Sequence, residues 1–257
     1  TNGSELDLTG FASLLTEDLT VADTSIVHLP LAVTVTSLDM GSGGLLTHQA
    51  GEVVTISVSD DLVIDGGGTI TSAVDLNVLG NLTIASGSSI NSSGKGYGPA
   101  SGPGAGSSKW IGSAGGAGYG GDGGDGEDPG GGGSSYGSVI EPLDFGSGGG
   151  NQDSASQKGG SGGGLVRLNV GGTLTVDGTL EADGTNGQAL GGGGSGGSIY
   201  LTVGTLAGAG TISADGGNGS DVAGGGGGGR IAIHYDTSSY TGLLIACGGT
   251  SSNSYRT

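Results

Sequence analysis

Basic side chains are scarce in this sequence: six Lys and Arg stand against 24 Asp and Glu, for a formal net charge of −18. Too few cations are present to neutralise a run of phosphates, which argues against nucleic acid as a partner. Anionic membrane surfaces are disfavoured for the same reason, and divalent cations or basic partners suit this charge better. A single cysteine, Cys247, excludes an internal disulfide framework. Apolar runs are only a few residues long, far short of the roughly 20 residues that span a bilayer as a helix. No Met starts the chain and no charged stretch leads into an apolar core. The expectation is therefore a processed product or a piece of a longer chain.

What the sequence has is glycine, 66 residues of it, set between the rungs of an apolar repeat. A Leu followed two residues later by an aliphatic recurs as Leu19/Val21, Leu38/Met40, Leu62/Ile64, Leu82/Ile84 and Leu174/Val176, with Leu206 followed by Gly208. The first three steps are 19, 24 and 20 residues, then 92 to Leu174 and 32 to Leu206. The later part repeats closely: Thr179-Leu-Glu-Ala-Asp-Gly, Thr211-Ile-Ser-Ala-Asp-Gly and Leu243-Leu-Ile-Ala-Cys-Gly lie 32 residues apart. Repetition on this scale points to stacked units that bury their apolar faces on one another.

Within each unit the apolar residues alternate, as in Val166, Leu168 and Val170, then Ile199, Leu201 and Val203, then Ile231, Ile233 and Tyr235. Period two is a strand signal, and the β-branched content suits a pleated surface. Stacking predicts ladders such as Val166–Ile199–Ile231 and Leu180–Ile212–Leu244. The predicted fold is all-β: a right-handed parallel β-helix, or β-solenoid, of about seven coils. Its glycine runs are read as polyproline-II-like excursions packed on one flank, since backbone without side chains can lie side by side. The predicted divisions are an N-terminal arm or cap over 1–15, short coils over 16–92, a glycine-rich insert over 93–164, and long coils with glycine-rich loops over 165–257. A short amphipathic helix is predicted over Thr9 to Leu15.

Candidate sites are few. Asp122, Asp125, Glu127 and Asp128 offer hard oxygen donors among glycines, a composition suited to calcium, although their spacing matches no EF-hand or β-roll loop. Sequons at Asn2, Asn81, Asn91 and Asn218 are candidate glycosylation sites. Asp183 and Asp215, each before Gly, read as turn residues, with Cys247 in the same column. His28, His48 and His234 are dispersed without metal-ligand spacing, and no nucleophile-elbow or phosphate-loop motif is met. The predicted chain is therefore not an enzyme. Tyr97, Trp110, Tyr119 and Tyr136 lie in the insert, where they either pin glycine segments or meet a partner or sugar.

Residues 196–235, Gly-Gly-Ser-Ile-Tyr-Leu through Gly-Thr-Ile-Ser-Ala-Asp-Gly-Gly-Asn-Gly to Gly-Gly-Arg-Ile-Ala-Ile-His-Tyr, resemble the glycine-rich repeats of parallel β-helix proteins on bacterial surfaces. The coil pattern alone also resembles pectin-lyase-like architecture, without its catalytic motif: no Asp group converges on Arg167 or Arg230. The first resemblance implies a secreted or cell-surface protein. The predicted function is an extracellular structural subunit assembling head-to-tail with itself through Leu6, Leu8, Phe11, Leu14 and Leu15 at one end and Leu243, Leu244 and Ile245 at the other. The alternative is an adhesin that binds carbohydrate or a receptor through the glycine-rich lobe. A polysaccharide lyase or hydrolase ranks below both.

Overall fold

The computed structural model describes residues 5–21, 24–127, 131–152 and 159–251. Among these are seventeen strands and no helix. The shorter strands form one sheet: β1 (Glu5–Asp7), β3 (Ile26–His28), β5 (Leu45–Thr47), β8 (Thr69–Thr71), β11 (Ser89–Asn91), β13 (Thr179–Glu181), β15 (Thr211–Ser213) and β17 (Leu243–Ile245), paired in that order. Every pairing is parallel.

The second sheet contains β2 (Leu14–Val21), β4 (Ala32–Met40), β6 (Val53–Val58), β7 (Leu62–Ile64), β9 (Ala73–Val78), β10 (Leu82–Ile84), β12 (Leu165–Val176), β14 (Ser198–Ala207) and β16 (Arg230–Ser238). Here β4 pairs β6 with its first half and β7 with its second. Likewise β12 pairs β9 and β10. Since β6 pairs β9 and β7 pairs β10, six strands close a ring, β4–β6–β9–β12–β10–β7. The fold is thus a closed six-strand parallel barrel plus a parallel sheet. This corrects the expected right-handed β-helix of about seven coils. The repeat spacing revealed which residues stack, but not that β4 and β12 are each long enough to pair two strands and so close the sheet. The helix expected over Thr9 to Leu15 is also absent: Leu14 opens β2, where Leu14, Thr16, Leu19 and Val21 are the more buried residues and Leu15, Glu17, Asp18 and Thr20 are exposed.

Direct pairing produces continuous apolar columns. Leu19, Leu38, Leu62, Leu82, Leu174 and Leu206 are consecutive partners. In the other sheet Leu6, Val27, Leu46, Ile70, Ile90, Leu180, Ile212 and Leu244 form one column. Its six inner members are buried, while Leu6 and Leu244 at the ends are 50% and 52% exposed. At about 25 cal/mol per Å² of apolar surface removed from water, such columns are the main stabilising term. Turns between them need glycine in places: Gly66 and Gly67, with φ of 55° and 86°, join β7 to β8.

Residues 93–164 hold no strand among those described, and the glycine runs there pack against those after β13 and β15. Their backbone bonding follows a rule. Gly192 N–H and Ser195 N–H donate to Gly150 O and Ser147 O, Gly193 and Gly196 to Gly224 and Gly227, and Gly194 and Gly197 to Thr185 and Ala182. Donor direction therefore rotates through three neighbouring segments and returns every third residue. Three residues per turn is the repeat of a polyproline II segment, which makes no hydrogen bonds to itself. Buried amides and carbonyls are satisfied between segments, and contact is so close that side chains are excluded. A Cβ at Gly193 would lie 1.9 Å from Gly217 O.

Candidate functional site

Among the described residues two strands lie at each edge of the paired strands. At one edge β1 and β2 have a partner on one side only, β3 and β4; at the other, β17 and β16 pair only β15 and β14. Leu243, Leu244 and Tyr235 are exposed there, and Ile231, Ile233 and Ile245 are half-buried. All of these except Leu243, with Ala246, line an open apolar cleft of roughly 400 Å³. Inward-facing residues of a strand with no neighbour leave the column unfinished, and the free edge offers unpaired N–H and C=O groups. At the opposite end Leu6, Phe11 and Leu15 are exposed, whereas Leu8 and Leu14 pack partly against the core. The expected assembly residues thus fall into two groups at the two ends of the stack.

A groove of roughly 660 Å³ runs along the β1 end, lined by Glu5, Asp7, His28, His48 and Glu52 among others. His28 Nε2 lies 2.8 Å from Glu5 Oε1. The buried His48 ring engages Leu29 O through Nδ1 and Glu52 Oε2 through Nε2, both at 2.8 Å. Both nitrogens are occupied, which leaves neither free as a metal ligand or base. The Thr9 hydroxyl and amide hold the Asp7 carboxyl below its ordinary range. Gln49 first, then His48, do the same for Glu52. Sequence reading missed this groove, because β1, β3 and the link after β5 are distant in the chain and no spacing rule joins them.

The predicted calcium residues that the structure describes make the following bonds. Asp122 Oδ1 accepts Ser135 N–H at 2.6 Å, which holds its carboxyl below the ordinary range. Asp125 Oδ1 accepts Gly132 N–H at 2.8 Å, and Glu127 N–H donates to Ser113 Oγ. Asp128 lies outside the described residues. Among the described residues no three His, Cys, Asp or Glu gather as a metal site. Of the sequons, Asn2 is outside the described residues. Asn81 binds Asp61 and Thr173, Asn91 binds Glu181 and Ser93, and the exposed Asn218 binds Thr250.

Asp183 and Asp215 form a ladder across levels: Asp183 Oδ1 accepts Asp215 N–H, and Asp215 Oδ1 accepts Cys247 N–H, each at 2.6 Å. Burial pushes the Asp183 carboxyl up, against these hydrogen bonds, and burial with the Asp183 charge does the same to Glu181. Cys247 is exposed and unpaired. Arg167 pairs Asp75 at 3.2 Å. Arg230 donates to the carbonyls of Tyr136 and Tyr119 and sits 5.4 Å from the Tyr119 ring centre.

The insert aromatics divide by role. Tyr119 is fully buried, its hydroxyl 2.6 Å from Ser198 Oγ and its ring 4.8 Å from that of Tyr136. Tyr136 bonds Phe145 O and Ser147 Oγ. Burial raises both phenols above their ordinary value. These two pin the glycine segments to β14 and β16. Tyr97 meets Phe145 edge-on. Trp110 is 72% exposed beside an exposed Ile111. Close by, Gly112, Ser113, Glu127, Leu190 and Val222 gather around one cleft, so several loop tips of the glycine segments meet at one face. Ala189, Leu190 and Asp221 at these tips have positive φ, a strained setting for residues other than glycine.

No family model, curated protein or solved structure matches this chain. No helix among the described residues is long and apolar enough to cross a membrane.

Proposed function

We propose that the chain is an extracellular structural subunit that joins copies of itself head-to-tail into a filament. The observation that carries this is the pair of open edges among the described residues: β1 and β2 at one edge and β17 and β16 at the other lack a strand partner on their outer side, and the apolar columns finish there on exposed residues. One end presents Leu244, Ile233 and Tyr235, and the other Leu6 and Leu15. The two surfaces differ, so the contact between them is heterologous and repeats without closing unless the rotation returns on itself. The resemblance of residues 196–235 to glycine-rich repeats of bacterial surface proteins supports the same reading. Main-chain pairing would supply affinity and the columns would supply register.

The double variant Ile233→Asp, Leu244→Asp places two carboxylates on the cleft, and burying an unpaired charge is costly. The expected result in negative-stain microscopy and sedimentation is filaments from the native chain and only monomer from the variant. A native chain that stays monomeric at high concentration sinks the proposal.

A second reading is favoured by one feature, the exposed Trp110 and Ile111 on the face where loop tips converge. An aromatic displayed there suits an adhesin that stacks on a sugar ring or anchors a protein receptor. Glycan-array and cell-binding signals should fall at least tenfold in Trp110→Ala, with no change in filament formation. An unchanged signal, or none from the native chain, removes this reading.

A further inference from the structure

The two ends do not fit together as they stand. Along the stack the first sheet has eight strands, from β1 to β17. The second has seven levels: β2, β4, the pair β6 and β7, the pair β9 and β10, β12, β14 and β16. In chain order β1 belongs to the first sheet and precedes β2, and β17 follows β16. If β1 of one copy pairs β17 of another, the second sheet lacks a strand between β16 and the incoming β2. Ile231, Ile233 and Tyr235 then face a gap one strand wide. Were β16 and the incoming β2 to pair directly, the incoming β1 would occupy the space held by β17.

We propose that β1 is a detachable guard, and that β17 of a second copy displaces it from β3. This rests on the head-to-tail reading. With β1 gone both sheets run on without a gap. Leu244 then takes the place of Leu6 opposite Val27, Ile233 lies opposite Leu14, and Tyr235 lies opposite Thr16. Lengths agree as well: β17 and β1 both have three residues, and β16 and β2 have nine and eight.

The chemistry of β1 suits a guard. Its residues Glu5, Leu6 and Asp7 are all exposed, and a short edge strand carrying charge is a common means of blocking edge-to-edge pairing. Among the described residues it is held by three paired residues, the Leu8 N–H to His28 O bond, the partial packing of Leu8 on the core and the Glu5–His28 contact. The last is an exposed pair of little net worth. By contrast β17 is Leu-Leu-Ile, and it brings more apolar surface to the same three-residue seat. Exchange of one strand for another keeps the number of main-chain pairs constant and gains apolar burial.

Two measurements test this. The axial rise per subunit in filaments of the full chain, from helical reconstruction, should be about 34 Å, seven strand spacings of about 4.8 Å. A rise of about 38 Å, eight spacings, means that β1 stays in place and overturns the proposal. Removal of residues 1–9 should lower the critical concentration by about tenfold or more, because the pairs that hold β1 on β3 no longer have to be broken. Loss of filaments on this truncation, when the full chain forms them, also overturns it while leaving the head-to-tail reading intact. If neither chain polymerises, both readings fail together.

Discussion

Replacing Gly116 with alanine is expected to destabilise the protein by about 3 kcal/mol or more, because overpacking against atoms that cannot move is costly. A Cβ there would lie 1.9 Å from Gly225 O and 2.4 Å from its carbon. Both atoms are backbone, and Gly225 O already accepts Gly124 N–H at 2.8 Å. Gly116 itself donates to Gly124 O and accepts from Gly133 N–H, so relief by moving one segment breaks bonds to its neighbours. Gly121→Ala is the matched control. Nothing lies within 4 Å of its Cβ position, so the change should stay within about 0.5 kcal/mol of native, as at an ordinary surface position. Denaturant unfolding checks the pair. Equal stability of the two variants would mean that the glycine segments are not closely packed.

The second large effect is a gradient along one column. Leu180→Ala removes a fully buried side chain between Ile90 and Ile212 and should cost about 2–5 kcal/mol. Leu244→Ala, the same chemical change at the end of the same column, removes a side chain that is 52% exposed. In the monomer it should cost about 1 kcal/mol or less, in proportion to the smaller area removed from water. Midpoints of urea unfolding at low protein concentration separate the two. A Leu244→Ala variant as unstable as Leu180→Ala would show that something already covers the β17 end in solution.

Much of the packing was legible because strand pairing is parallel and in register. A residue's partner is then its counterpart in the next unit. The Leu19, Leu38, Leu62, Leu82, Leu174 and Leu206 repeat is a direct ladder, and the 92-residue gap is simply crossed by the pairing of Leu82 with Leu174. The same holds for Leu180, Ile212 and Leu244. Other features carried no such signal. Ring closure depends on β4 and β12 each serving two partners, which their composition does not mark. The role of Tyr119 depends on Ser198, 79 residues away. Buried serines within the glycine runs were the available clue: Ser147 Oγ accepts Gly104 N–H, and Ser195 Oγ accepts Ser147 N–H. A hydroxyl kept where every neighbour lacks a side chain marks a specific bond.

By itself the sequence determined the inward residues of the repeated strands and the order in which units stack, because alternation and repeat length act locally and then recur. It also determined that the glycine runs could approach one another without side chains between them. Only the tertiary structure decided that six strands close into a barrel, that three-residue rotation links the glycine segments into one packed lobe, and that β1 lies along β3 at one edge of the first sheet. Those outcomes depend on the distance between segments far apart in the chain, and hydrogen bonding at about 3 Å cannot be read from composition or period.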